Sequence, residues 1–129
     1  MSDHDPSQRT PAIVLVDDEL DVRFVLSCVL EFVADGFGIV AVSSGAEALD
    51  VLAARPVPLL ITDYNMPIMN GLELTQAVKA AAPTTTVVLI TAYATPELER
   101  RAKAVGADYF VPKPCPFDEL ETIVREALG

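Results

Sequence analysis

Ala12-Ile13-Val14-Leu15-Val16-Asp17-Asp18-Glu19 is an apolar run, rich in β-branched residues, that stops abruptly on three acids. A short, continuously apolar run reads as a strand covered on both faces, the situation of strands in a parallel sheet. Three further runs repeat the pattern: Leu59-Leu60-Ile61-Thr62 leads to Asp63, Val87-Val88-Leu89-Ile90 ends on Thr91, and Tyr109-Phe110-Val111 leads to Lys113. Helical patterns separate them, and strand and helix alternate five times, which predicts an α/β fold with helices on both faces. Short right-handed crossovers favour a doubly wound, five-stranded parallel sheet of order 2-1-3-4-5 with five helices. In that order strands one and three are neighbours. Asp17, Asp18 and Asp63 then meet where the strand order reverses, with Thr91 and Lys113 beside them, and open sheets bind ligands at that edge.

The helices have their own signals. One is expected from about Leu20 to Ala34, with Val22, Val25, Leu26, Val29 and Val33 at helical spacing, Cys28 on the buried face and Gly36 as the stop. Ser44-Gly45-Ala46-Glu47 is a capping-box pattern opening a helix to about Ala54, after a short strand over Ile39 to Val42. A long loop from Asp63 to Gly71 precedes a helix from Leu72 to about Ala81. Thr95-Pro96-Glu97 supplies an N-cap, a first-turn proline and a favourable acid for the fourth helix, which Gly106 ends. The fifth helix, about Pro116 to Leu128, aligns Leu120, Ile123, Val124, Ala127 and Leu128.

The chain of 129 residues is 51% hydrophobic, enough for one domain with one core. The expected division is a flexible N-terminal tail over residues 1–11 and a single domain over 12–129. No run reaches the length of a membrane span, and the polar start lacks the features of a signal peptide, so a cytoplasmic location without membrane contact is expected. A net charge of −10 argues against direct nucleic-acid binding and favours cationic ligands, including metal ions. Cys28 and Cys115 show no metal-ligand spacing, and no bridge between them is expected. His4, the only histidine, lies in the tail, which leaves no basis for histidine catalysis or a zinc site.

Three carboxylates in one cleft repel one another and raise their own pKa values unless a cation joins them. Mg²⁺ suits such a set, taking a few carboxylates, a carbonyl and several waters, and Mn²⁺ is a chemical substitute. Asp18 and Asp63 are placed to ligate directly, Asp17 through water, and the loop brings the backbone carbonyl of Asn65 within reach. Asp63 is the expected nucleophile, since a carboxylate can attack a phosphoryl group in line once the charge on its oxygens is offset. The metal, the Lys113 ammonium and the Thr91 hydroxyl would each take one oxygen. The small side chain of Ala92 keeps the approach open.

With these residues in place, the chain resembles the receiver domain of two-component response regulators, in form closest to single-domain chemotaxis regulators, over Ala12 to Leu128. The resemblance rests on Val16-Asp17-Asp18-Glu19, on Asp63-Tyr64-Asn65-Met66-Pro67-Ile68-Met69-Asn70-Gly71, on Thr91-Ala92 and on Val111-Pro112-Lys113-Pro114. It implies a flavodoxin-like fold and a phosphorelay switch, in which Asp63 accepts phosphate from a sensor histidine kinase or a histidine phosphotransfer domain. It also implies Asp17 and Asp18 as Mg²⁺ acids, a cis peptide at Lys113-Pro114, and a switch in which Thr91 moves inward and Phe110 follows. Signalling would run through the fourth helix, fifth strand and fifth helix to a downstream protein or a second copy. Asn65 and Tyr93 flank the path of an attacking water. Such a domain promotes only its own phosphotransfer and dephosphorylation and is not otherwise an enzyme.

Other classes fit less well. A phosphatase or mutase of the haloacid dehalogenase type wants a general acid two residues after its nucleophile, where Asn65 stands, and a cap domain. A flavodoxin-like cofactor binder wants a phosphate loop after strand one, where Asp17-Asp18-Glu19 would repel phosphate without metal. A receiver that has lost its chemistry would not need all five site residues. Arg100, Arg101 and Lys103 make the fourth helix basic, as a solvated face or as a partner contact.

Overall fold

The computed structural model describes residues 10–129. Residues 1–9, which hold His4 and most of the expected tail, lie outside the described residues. Five strands alternate with five helices: β1 (Ala12–Val16), α1 (Leu20–Val33), β2 (Gly38–Val42), α2 (Gly45–Ala54), β3 (Leu59–Asp63), α3 (Gly71–Ala81), β4 (Thr86–Thr91), α4 (Pro96–Ala104), β5 (Tyr109–Pro112) and α5 (Phe117–Leu128). The sheet order is β2-β1-β3-β4-β5 and every pairing is parallel, the arrangement expected from the sequence.

Strand side chains alternate between the two faces. Ile13, Leu15, Leu59, Ile61, Val88, Ile90 and Val111 pack against Leu30 of α1 and Leu120, Ile123 and Val124 of α5. The residues between them turn the other way: Val14, Val16, Leu60 and Val87 meet Ala48, Leu74 and Val78 of α2 and α3. Leu89 meets Leu72, Leu98 and Ala102, with Phe110 and Tyr64 against that group. Both faces of the central strands are therefore apolar, which is why the defining runs show no polar alternation.

Two expectations for α1 are corrected. Cys28 is exposed, not buried, and Val25 is 58% exposed. The inward face is set by Leu30, with Leu26, Val29 and Val33 against the core. Residue 28 stands two places from both Leu26 and Leu30, about 200° around the helix and so on its far side. Valine and cysteine are apolar enough to suggest burial, but α1 carries more apolar residues than one face can bury.

The helix ends follow their local chemistry. The Ser44 hydroxyl accepts from the Glu47 amide at 3.3 Å, and the Thr95 hydroxyl accepts from the Leu98 amide at 3.1 Å. The expected box at Ser44 is only half made, since the Glu47 carboxylate accepts from the Ser43 amide at 3.1 Å and not from the Ser44 amide. A full capping box, unread in the sequence, opens α3: the Asn70 side chain accepts from the Glu73 amide, and the Glu73 side chain accepts from the Asn70 amide. Its signal, Asn-x-x-Glu before an apolar run, was present. Gly36 and Gly106, the expected helix stops, have φ of 92° and 104°. At the opposite pole from the acids, Arg55 Nη2 donates to the Thr10 carbonyl at 2.7 Å.

Ile68, in the loop after β3, is the one residue other than glycine with positive φ (72°) among those described, and its side chain is entirely exposed. It centres a tight turn in which the Met69 amide donates to the Pro67 carbonyl at 2.7 Å. A β-branched residue there pays a steric cost of about 1–2 kcal/mol, and no packing offsets it. Glycine takes such a turn without strain. Ile68→Gly relieves that cost but loosens the unfolded chain, so a gain of up to about 1 kcal/mol is expected, seen as a higher urea midpoint at unchanged slope. A lower midpoint would show that the strain is smaller than the cost of loosening the unfolded chain.

Candidate functional site

The carboxyl ends of β1 and β3 lie side by side, Val16 in register with Thr62. Carboxylate oxygens of Asp17, Asp18 and Asp63 all lie within 4.8 Å of one another. Asp17 and Asp63 are buried (2% and 7% exposed) and Asp18 is exposed. From the end of β5, Lys113 reaches back so that its Nζ is 3.4 Å from Asp17 Oδ2 and 3.4 Å from Asp63 Oδ1. The Lys113–Pro114 peptide is cis.

The turn after β1 is held from several sides. The Glu19 amide donates to Asp17 Oδ1 at 2.9 Å, and the Asp17 amide donates to the Val42 carbonyl at 3.2 Å. Arg23 Nη1, from the first turn of α1, donates to the Asp17 carbonyl at 2.7 Å. Sequence reasoning missed Arg23, because a backbone contact made by a long side chain leaves no spacing signature. Gly71 serves the other side of the site. A Cβ there would lie 2.5 Å from the Asp63 carbonyl oxygen and 2.5 Å from Leu89 Cδ1, so only glycine lets α3 start this close to β3.

Burial raises the Asp63 pKa above the ordinary aspartate range, and the neighbouring Asp17 carboxylate adds to the rise while Lys113 opposes it. For Lys113, burial pulls downward, but the carboxylates of Asp17 and Asp63 outweigh it and its pKa is raised. The two shifts have different causes: burial disfavours the Asp63 carboxylate despite Lys113, whereas the two buried carboxylates hold the Lys113 ammonium charged. Two buried carboxylates and one exposed, all oxygen donors with open space beside them, fit a hard divalent cation that keeps part of its water. Asp17, Asp18 and Asp63 are the residues that would hold it.

The cleft over these groups measures about 240 Å³ and is lined by Asp18, Glu19, Asp63, Asn65, Ala92, Tyr93 and Lys113. Asn65 and Tyr93 are exposed at its mouth. Thr91 is different. It ends β4 and its carbonyl accepts from the Lys113 amide at 2.8 Å, but its hydroxyl is buried and accepts from the Tyr93 amide at 2.9 Å. It follows Leu89 by two residues and so leaves the sheet on the α3–α4 face. Phe110, the register partner of Leu89, is half-buried on that same face. The acids and the lysine therefore meet directly, while Thr91 and Phe110 form a second group beside them.

Comparison with known proteins bears on the family and the fold. The family model described as response regulator receiver domain matches residues 13–125. Among curated proteins, the chain is 32% identical over 115 residues to the DNA-binding transcriptional regulator NtrC of Escherichia coli, covering 89% of this chain but 24% of that protein. It is 28% identical over 116 residues to sporulation initiation phosphotransferase F of Bacillus subtilis, covering 90% of this chain and 92% of that one. The chain thus spans about a quarter of NtrC and nearly all of the phosphotransferase. Among solved structures, the chemotaxis protein CheY4 of Vibrio cholerae superposes with a TM-score of 0.82 at 28% identity, over 92% of this chain and 98% of that one. A signal receiver domain from Pseudomonas fluorescens gives 0.85 at 29% identity, over 93% and 95%.

Proposed function

The chain belongs to the response regulator receiver domain family of two-component signalling, and from that premise we propose that Asp63 is its phosphoacceptor in a Mg²⁺-dependent phosphorelay. The observation that carries this reading is the convergence of Asp17, Asp18, Asp63 and Lys113 on one small cleft. The phosphodonor is a phosphohistidine of a sensor kinase or phosphotransfer domain. An Asp63 carboxylate oxygen attacks phosphorus as the bond to the histidine nitrogen breaks, which leaves an acyl phosphate on Asp63 and the electron pair on the departing nitrogen.

Receiver domains bind Mg²⁺, which offsets phosphoryl charge; here Asp17, Asp18, Asp63 and the Asn65 carbonyl are the residues that would hold it. Lys113 pairs with one phosphoryl oxygen in exchange for its present carboxylate partners. Ala92 and Lys113 also line an apolar groove of about 590 Å³ between α1 and the Pro114 turn, where an apolar side chain of the donor can rest beside its phosphoryl group. Asn65 and Tyr93 stand where water enters to hydrolyse the acyl phosphate, so they set the lifetime of the signal.

The Thr91 hydroxyl turns from the Tyr93 amide toward the new phosphoryl oxygen, and Phe110 fills the space it leaves beside Leu89 and Leu98. That change is read on the face of α4, β5 and α5; Arg100, Arg101 and Lys103 of α4 are all exposed, Arg101 on the side toward α3. Its target is a protein or a second copy; the net charge of −10 makes direct nucleic-acid binding by this domain unfavourable. Residues 12–129 form the receiver unit, and its chemistry is confined to its own phosphorylation and dephosphorylation. Among the described residues no helix is long and apolar enough to cross a membrane, and a cytoplasmic site of action fits the phosphohistidine donor.

Acetyl phosphate with Mg²⁺ tests the proposal by intact mass. The wild-type chain is expected to gain one phosphoryl group, and a chelator is expected to prevent the gain. No gain with Mg²⁺ present, or an undiminished gain in chelator, would overturn it.

A further inference from the structure

Arg23 spends its charge on the main chain. In a chain with 19 acidic residues, an arginine next to a cluster of carboxylates is expected to pair with one of them. Among the described residues no carboxylate stands at ion-pair distance from it. Its Nη1 donates to the Asp17 carbonyl at 2.7 Å, and its own amide donates to the Glu19 carbonyl at 3.0 Å, closing the first turn of α1. One half-buried residue thus grips the acidic turn at two points.

Asp18 depends on that grip. Its carboxylate is exposed and makes no hydrogen bond or ion pair with any described residue. Its direction is therefore set by the two peptides that flank it. The peptide after it is fixed by the Glu19 amide, which donates to Asp17 Oδ1 at 2.9 Å. The peptide before it carries the Asp17 carbonyl, and Arg23 fixes that one.

We infer that Arg23 is a positioning residue for the cation: by orienting the Asp17–Asp18 peptide it aims the Asp18 carboxylate into the cleft and so sets the affinity for Mg²⁺. This role rests on the Mg²⁺-dependent chemistry proposed above. Mg²⁺ tolerates little departure from octahedral geometry, so a ligand on a loose turn binds it poorly. A turn already held in place avoids the ordering cost at the moment of binding. The fixed direction of the guanidinium matters as well. Bound to the carbonyl, it leaves Lys113 as the cation that pairs with the cleft acids.

Charge and geometry predict opposite signs for the loss of Arg23. A guanidinium near three carboxylates repels a second cation, so removing its charge alone would tighten Mg²⁺ binding. Removing its hydrogen bond frees the peptide and weakens binding, and such outer partners cost about 10–100-fold in metal affinity when lost. At a half-exposed position solvent and salt screen the charge, so the geometric effect wins.

Urea unfolding at neutral pH across a Mg²⁺ series reads the affinity with no phosphodonor present, since a cation bound only to the folded chain raises the midpoint. Arg23→Met keeps an apolar stem and removes both charge and donor; it is expected to need about tenfold more Mg²⁺ than wild type for the same rise. Arg23→Lys keeps the charge on a single-point donor and is expected to fall between the two. The acetyl phosphate rate of Arg23→Met should shift by the same factor along the Mg²⁺ axis and reach a plateau near that of wild type. A merely structural role would lower the metal-free midpoint and leave the Mg²⁺ dependence where it was. That result, or tighter Mg²⁺ binding by Arg23→Met, overturns the inference. A wild-type chain indifferent to Mg²⁺ would sink the metal-dependent reading itself, and this role with it.

Discussion

Asp63→Asn is expected to abolish phosphorylation by acetyl phosphate while making the metal-free protein more stable than wild type. The loss is complete because a carboxamide oxygen is a poor nucleophile and no other carboxylate is placed to take over. Asp17 is tied to the Glu19 amide through one oxygen and faces Lys113 through the other, and Asp18 stands at the exposed rim. The gain in stability has a separate cause. Burial, with Asp17 beside it, holds the folded-state pKa of Asp63 above its unfolded value of about 3.9. A carboxylate raised in this way stabilises the fold most when protonated, and that contribution is lost as pH rises from about 4 through the folded value. At neutral pH the ionised side chain is a burden, and neutral asparagine removes it, with a gain of order 1 kcal/mol. Intact mass and urea unfolding at pH 7 without metal read the two effects. Residual phosphorylation of the variant would move the acceptor to another side chain; a less stable variant would mean that Lys113 more than neutralises the cleft.

Lys113→Met shifts stability the other way. Its ammonium is the cation paired with both Asp17 and Asp63, and its removal leaves two buried carboxylates facing each other and Asp18. Breaking a buried ion pair costs about 3–5 kcal/mol. Lys113 is a quarter exposed and its contacts are 3.4 Å long, so about 1–2 kcal/mol is expected here. The rate of phosphorylation should fall about 100-fold, since one fixed charge on the transferring group is lost. Mg²⁺ separates the two consequences: at saturation it offsets carboxylate repulsion and narrows the stability gap, while the slow transfer persists. The raised pKa gives a matching pH signature. The stability Lys113 contributes is present below its unfolded value of about 10.4 and disappears as pH rises through the higher folded value, so only wild type should lose stability in that alkaline window. A variant equally stable at neutral pH, or one phosphorylated at the wild-type rate, would refute this role for the ammonium.

The sheet was legible because its strands are buried on both faces. Four apolar runs with chemical residues at corresponding ends leave little freedom in topology, and the same runs carried Asp17, Asp63 and Lys113 to one edge. What escaped was of two kinds. Cys28, expected on a buried face, and Val25, expected at the helical spacing of the apolar stripe, both lie outside because α1 is apolar nearly all round, and composition alone does not say which stripe meets the sheet. Arg23 and Gly71 act through backbone atoms, one by gripping the Asp17 carbonyl and the other by its lack of a side chain, and neither interaction has a periodic signal. Thr91 is intermediate. Its position at the end of β4 could be read, but the direction of its hydroxyl depends on the turn that follows.

That hydroxyl accepts the Tyr93 amide proton at 2.9 Å. Residues 92–94 are exposed, so a rotation of the hydroxyl toward a phosphoryl group would hand that amide to water. The proposed movement of Thr91 would thus release one tie on the segment after β4 and let residues 92–94 shift with it, carrying Tyr93 at the mouth of the cleft.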